Sequence, residues 1–112
     1  SHKEVVMQEF SAQQVDELIK QSDKKPFLLD VREPWEHEIC HIDGVTLIPM
    51  KTIPQHLAKL DPTEEIVVIC HHGIRSRMVG RFLEQEGYKH IINLSGGVKA
   101  WAEQVDATMP KY

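Results

Sequence analysis

Short apolar runs that stop abruptly, each followed by an amphipathic stretch, constrain this chain more than any other feature. Pro26–Val31, Val45–Ile48, Ile66–Cys70 and His90–Leu94 read as strands, and a weaker strand falls between Val5 and Phe10. These runs do not alternate apolar with polar residues, so they suit strands covered on both faces, as in a parallel sheet. Strand and helix in repetition then predict an α/β fold: a mostly parallel sheet of about five strands with helices on both faces.

The intervening stretches carry helical spacing. Ser11-x-x-Gln14 is a capping-box pattern, and Ala12, Val15, Leu18 and Ile19 share a face behind it. Thr52-x-x-Gln55 opens a second such stretch, with Ile53, Leu57 and Leu60 on one side. A third runs from Arg75 to Glu86, where Met78, Val79, Phe82 and Leu83 form a stripe and Gly87 marks the stop. After the turn signal Ser95-Gly96-Gly97, the spacing of Val98, Trp101, Ala102 and Val105 predicts a fourth helix. All four stripes are expected to pack in the core.

At 112 residues the chain fits a single domain spanning 1–112, with Ser1-His2 reading as a cloning scar because no initiator Met precedes them. A net charge of −4 and the lack of any Lys/Arg run exclude a nucleic-acid surface. No apolar segment approaches the roughly 20 residues of a membrane span, and no signal segment is evident at the N-terminus. Cys40 and Cys70 do not make a disulfide framework, and a reducing, cytoplasmic compartment is the simpler reading.

Ligands of open parallel sheets bind beyond the carboxyl ends of the strands. That rule singles out Asp30-Val31-Arg32-Glu33 and Cys70-His71-His72-Gly73-Ile74-Arg75-Ser76. Cys70 ends a buried strand a few residues before a helix, and Gly73 lets the intervening backbone curl. Such a turn can aim several N–H groups at one point and stabilise a thiolate there. Arg75 places a positive charge where a helix disfavours one, which asks for a reason such as orienting an anion. A lone Cys is more often an inert buried thiol; the Gly and Arg at fixed offsets favour a catalytic cradle but leave the reaction open.

Several blocks, in order, resemble the rhodanese family along nearly the whole chain. Asp30-Val31-Arg32-Glu33-Pro34-Trp35-Glu36 resembles its acidic–basic motif, His41-Ile42-Asp43-Gly44-Val45 its Gly-His-Ile-x-Gly-Ala motif, and Cys70 to Ser76 its active-site loop. Leu94-Ser95-Gly96-Gly97-Val98-Lys99-Ala100-Trp101 resembles its Gly-Gly-x-x-x-Trp block, and Pro110-x-Tyr112 a common family ending. The resemblance implies a single-domain sulfurtransferase that needs no metal or organic cofactor. Cys70 would be the nucleophile, carrying sulfur as a persulfide, with the amides of His71, His72, Gly73, Ile74 and Arg75 around it. Asp30, Arg32, Glu36 and Ser76 would brace the loop. The implied partners are a small anionic sulfur donor and a low-molecular-weight thiol or thioredoxin-like acceptor.

Two departures from the family pattern bear on this. His71 stands where many members have Arg or Lys, so a cationic imidazole there would make the use of a dianionic donor depend on pH. Cys40 stands where the family has Gly and is expected to be a buried small residue; His37, Cys40 and His41 look like zinc ligands but lack an evident fourth. Two other function classes compete with the enzyme: a persulfide-sensing or docking module with little turnover, and an oxyanion enzyme. Related phosphatases and arsenate reductases use a Cys-x5-Arg loop, whereas four residues separate Cys70 from Arg75, which suits sulfur better than phosphate.

Overall fold

The computed structural model describes residues 6–112 and shows five parallel strands interleaved with helices. In chain order these are β1 (Gln8–Phe10), α1 (Ala12–Gln21), β2 (Phe27–Asp30), α2 (Pro34–Ile39) and β3 (Thr46–Leu47). A 3-10 helix (Met50–Lys59), β4 (Ile66–Ile69), α3 (Ile74–Gln85), β5 (Ile91–Leu94) and α4 (Gly97–Gln104) follow. Spatial order is β1-β5-β4-β2-β3, all parallel, with β4 central: Leu29 pairs with Val68 on one side and Val68 with Asn93 on the other. The expected fold class is therefore the observed one. Val5, at the edge of the weak first strand, lies outside the described residues. Among those residues no helix is long and apolar enough to cross a membrane.

The continuous apolar strands divide their side chains between two cores. Leu28, Val67, Ile69, Ile92 and Leu94 pack against Ala12 and Val15 of α1 and Val98, Trp101 and Ala102 of α4. On the other face, Leu29, Ile66, Val68, Cys70 and Ile91 meet Val79 and Leu83 of α3 and Ile53 of the 3-10 helix. Each fully buried aliphatic side chain contributes about 1.5–3 kcal/mol, so both faces are needed to hold so small a sheet flat against its helices. Cys40 sits in the first of these cores at 7% exposure, the buried small residue expected.

Three local expectations need correction. The Thr52-x-x-Gln55 pattern does not open a helix; a 3-10 helix begins two residues earlier, and the Thr52 hydroxyl donates back to the Pro49 carbonyl at 2.9 Å. Pro54, inside this segment, has no N–H to donate and its ring crowds the preceding turn, so an α-helix cannot close around it. Met78 is not core but 55% exposed, because the buried face of α3 runs through Ser76, Val79, Gly80 and Leu83. Ser76 is polar yet fully buried, so a stripe drawn through apolar residues alone comes out rotated about the axis. Finally, α2 was not anticipated, although Pro34 at its first turn and Glu36 reaching back to the Glu33 N–H (3.0 Å) are ordinary helix-start chemistry.

Candidate active site

The chain leaves β2 towards β3 and leaves β4 towards β5, in opposite directions along the sheet. The crevice between the ends of β2 and β4 is thus the topological switch point, where open α/β sheets hold their ligands. Cys70 is the first residue beyond β4, and Asp30 is the last residue of β2.

Gly73 makes the loop after Cys70 possible. It caps α3 with φ +98°, a conformation that side-chain-bearing residues rarely adopt, and a Cβ there would stand 3.1 Å from the Gly96 nitrogen and 3.3 Å from the Leu94 carbonyl. Its own N–H points at Cys70 Sγ, 3.0 Å away. From the other side the start of α4 grips the loop: Val98 N–H donates to the Cys70 carbonyl (2.8 Å) and Lys99 N–H to the His71 carbonyl (3.1 Å). Gly97, at φ +61°, permits this approach, since a Cβ there would lie 2.4 Å from both carbonyl oxygens. Trans peptide geometry then turns the N–H groups of His71 and His72 away from α4. The result is a thiol at the mouth of a tight, amide-lined turn, itself only 1% exposed.

Arg75 is engaged by a carboxylate. Its Nη1 and Nη2 form a bidentate pair with Glu36 Oε1 and Oε2 at 2.7 and 2.8 Å. From its place at the helix start, where an anion-orienting role was expected, Arg75 fastens α3 to α2. Glu36 is 3% exposed and also accepts from the Tyr112 hydroxyl (2.8 Å) and the Glu33 N–H. Arg75's hydrogen bonds, outweighing burial and aided by Glu33 and Tyr112, hold the Glu36 carboxyl down at about 2. Arg32, fully buried, pairs with Asp30 (2.8 Å between Nη2 and Oδ2) and donates to the Cys40 carbonyl and the Tyr112 hydroxyl. Burial, with the bond to Glu36, pushes the Tyr112 phenol up to about 12 in spite of Arg32. Asp30, Arg32, Glu36 and Arg75 are thus one continuous ionic brace, with Tyr112 as a fifth member whose chemistry the sequence reading did not assign.

The His71 imidazole packs on the Tyr112 ring (centroids 4.1 Å apart) and edge-on to His72 (4.0 Å), with Nδ1 buried and unpaired. Burial and the neighbouring His72 lower its pKa. A cationic donor-binding role for this side chain does not fit that setting; its backbone is what lines the loop. His72 and Ile74 are exposed at the rim. His37 Nδ1 lies 3.2 Å from Asp30 Oδ2, and the His41 ring stacks on His37 at 4.0 Å, so these two histidines serve the brace and each other.

Ser76 stands beside the thiol, its Oγ 3.2 Å from Sγ. Behind it lies Asn93, 2.5 Å from that hydroxyl, and behind Asn93 lies Glu9. Neither Asn93 nor Glu9 was foreseen. One signal was available for Asn93: a lone amide inside the apolar run Ile91-Ile92-Asn93-Leu94, where a buried polar group needs a partner. Glu9 gives no such signal.

Comparisons with known proteins agree with this architecture. The rhodanese-like domain family matches residues 11–104. A putative sulfur carrier protein, YrkF of Bacillus subtilis, is 38% identical over 85 residues, covering 76% of this chain and 46% of YrkF. The probable adenylyltransferase/sulfurtransferase MoeZ of Mycobacterium tuberculosis is 39% identical over 93 residues, 81% of this chain and 24% of MoeZ. The chain thus spans less than half the length of these curated relatives. Among solved structures, a rhodanese-like domain protein from Staphylococcus aureus superposes with a TM-score of 0.81 at 30% identity, covering 88% of this chain and 95% of that one. The yeast single-domain sulfurtransferase RDL2 shares the fold at 20% identity, with a TM-score of 0.77 over 98% of this chain and 100% of its own. With its parallel sheet, its glycine-gripped cysteine loop and a family match over most of its length, the chain belongs to the rhodanese-like domain family.

Proposed function

We propose that this chain is a sulfurtransferase that moves sulfane sulfur from a donor, through a persulfide on Cys70, to a thiol or to cyanide. The observation that carries the reading is the Cys70 thiol at the end of β4, held 3.0 Å from the Gly73 N–H in a loop whose carbonyls are tied back to α4. With thiosulfate, the Cys70 thiolate attacks the outer sulfur, the bond to sulfite breaks, and sulfite leaves with the electron pair. The terminal sulfur then carries the charge, and the loop amides from His71 to Arg75 are its counterpart. An acceptor thiolate or cyanide attacks that sulfur in turn and returns Cys70 to the thiolate. No step needs a metal or an organic cofactor. Two free cysteines are consistent with work in a reducing compartment such as the cytoplasm.

An oxyanion enzyme is disfavoured by Arg75. Gripping a tetrahedral anion calls for a guanidinium turned into the loop, and here both of its terminal nitrogens are taken by Glu36. The names of the relatives favour a second setting for the same chemistry, a sulfur-relay module within a larger protein that hands sulfur to a protein acceptor.

Intact-protein mass spectrometry after incubation with thiosulfate, glutathione persulfide or a protein persulfide tests the reading directly. The protein should gain one sulfur atom, reversibly with cyanide or thiol. Cys70→Ser should abolish the gain and Cys40→Ser retain it. A persulfide mapped to Cys40 alone, or no gain from any of these donors, overturns the proposal.

A further inference from the structure

Resting on that reading of Cys70, we infer that Asn93, held in one orientation by Glu9, aims the Ser76 hydroxyl away from the sulfur and so prolongs the time Cys70 holds its cargo. Asn93 and Ser76 are both fully buried, and the network fixes the direction of each hydrogen bond. Asn93 Nδ2 lies 2.8 Å from Glu9 Oε1 and 3.1 Å from the Gly73 carbonyl oxygen. Both of these oxygens can only accept, so the amide nitrogen must face them and Oδ1 must face Ser76. Oδ1 also can only accept, so the single hydroxyl hydrogen of Ser76 is directed to Asn93. What Ser76 turns towards Sγ, 3.2 Å away, is a lone pair.

A lone pair suits some states of Cys70 and opposes another. It accepts from the S–H of a resting thiol, and it tolerates the inner sulfur of a persulfide, whose charge sits on the terminal atom. It repels a bare thiolate on Sγ. That thiolate forms when sulfur is released: the acceptor anion bonds to the outer sulfur, the S–S bond breaks, and its electron pair goes to Sγ. With cyanide, persulfide anion plus cyanide gives thiolate plus thiocyanate, and the charge balances. To stabilise the departing thiolate, Ser76 must swing its hydrogen to Sγ and leave Asn93 Oδ1 unpaired in a buried site, which is unfavourable. Asn93 thus holds back release without touching sulfur; it and Glu9 are positioning residues.

Glu9 supplies the lock from the surface. Its Oε1 also accepts from Ser95 Oγ (2.8 Å), and its Oε2 pairs with Arg77 Nε (2.8 Å). Partial burial works to raise its pKa, and the bonds from Arg77, Ser95 and Asn93 more than offset this, so it stays a carboxylate at neutral pH. Without Glu9 only the Gly73 carbonyl holds the amide nitrogen, so the Asn93 amide turns over more readily, presents its nitrogen to Ser76 and releases the hydroxyl hydrogen towards Sγ.

The experiment loads each protein with thiosulfate, removes the donor, and follows thiocyanate release on mixing with cyanide. Asn93→Ala should release sulfur roughly tenfold faster than wild type, and Glu9→Ala a few-fold faster, whereas Ser76→Ala, which removes both the opposing lone pair and the hydrogen, should release it no more slowly than wild type and more slowly than Asn93→Ala. In the Ser76→Ala background, Asn93→Ala should change nothing, because the hydrogen it redirects is gone. A merely structural role for Asn93 would slow release and would do so equally in both backgrounds; either result overturns the inference. Should Asn93→Ala fail to fold, Glu9→Ala decides alone, since Glu9 is exposed on β1, and a release rate at or below wild type refutes the lock. A wild-type protein that never gains sulfur on Cys70 refutes the functional reading itself, and this inference with it.

Discussion

Replacing Glu36 by Gln should flatten the acid end of the stability profile, and the size of the effect follows from the brace. Every acceptor direction of the Glu36 carboxylate is engaged: Glu33 N–H and Arg75 Nη1 on Oε1, Arg75 Nη2 and the Tyr112 hydroxyl on Oε2. Its pKa falls from 4.5 to about 2 on folding. A depressed carboxylate stabilises the fold above its unfolded pKa, and that stability is lost as pH falls through the folded value. Linkage over this interval amounts to ~3 kcal/mol in all, of which about 0.8 is already gone at pH 4 and about 2 at pH 3. In Glu36→Gln, one oxygen becomes an NH2 facing donors, so the variant should be less stable at pH 7 by about 3 kcal/mol, as when a buried ion pair loses one partner. Its own acid loss, however, lacks the Glu36 contribution. The stability gap between the two proteins should therefore shrink by about 2 kcal/mol between pH 7 and pH 3, carboxylates distant from the brace cancelling in the difference. Urea unfolding followed by fluorescence of the buried Trp101 measures the gap at each pH. Parallel profiles, with the gap at pH 3 equal to that at pH 7, would refute the assignment of Glu36 as the ionised centre of the brace.

Two further outcomes are expected. Gly97→Ala should lose about 3 kcal/mol in urea unfolding and load sulfur poorly, because its Cβ would meet the carbonyls of Cys70 and His71 in addition to the strain of φ +61°. Gly44→Ala, at φ +87° with nothing within 4 Å, carries the strain alone, so its loss should stay near 1–2 kcal/mol with loading unchanged; equal losses for the two would dismiss the close approach. For His71, whose ring is packed on Tyr112 and whose pKa is lowered by burial and by His72, the imidazole should titrate below the ordinary histidine value and the KM for thiosulfate should not track its titration. An NMR titration midpoint above the ordinary histidine value, or a KM that rises with pH in wild type but stays flat in His71→Arg, would restore the cationic role.

The sequence carried the sheet and the cysteine loop because both are local. An apolar run of four or five residues and a glycine three residues after the cysteine act within one turn of chain, and the pair Gly96-Gly97 marks a turn locally even though Gly97 makes room for the distant carbonyls of Cys70 and His71. Long-range partners were less legible. Nothing near Arg75 announces that Glu36, 39 residues earlier, takes both of its terminal nitrogens, and a charge read at a helix start was assigned to a ligand instead. Pro54 misled in the opposite way: apolar spacing suggested an α-helix, and the missing N–H of one residue made it a 3-10 helix.

Adjacent residues at the start of α3 explain how a single short segment can serve two purposes at the sulfur. Successive helical side chains diverge by about 100°. Arg75 therefore reaches towards the end of β2, where Glu36, Tyr112, Arg32 and Asp30 form the ionic brace. Ser76 reaches the other way, past Cys70 towards β5, where Asn93 and Glu9 continue the chain of hydrogen bonds. The first arm fastens the start of α3 to α2; the second, on the inference above, sets which way a hydrogen points at Sγ. Because the arms share no side chain, they should be separable: Glu36→Gln should lower stability while the effect of Asn93→Ala on sulfur release survives in its background. Thiocyanate release from the double variant, compared with Glu36→Gln alone, measures this. Loss of the Asn93→Ala effect there would mean that the brace, and not the orientation of Ser76, governs how long Cys70 keeps its sulfur.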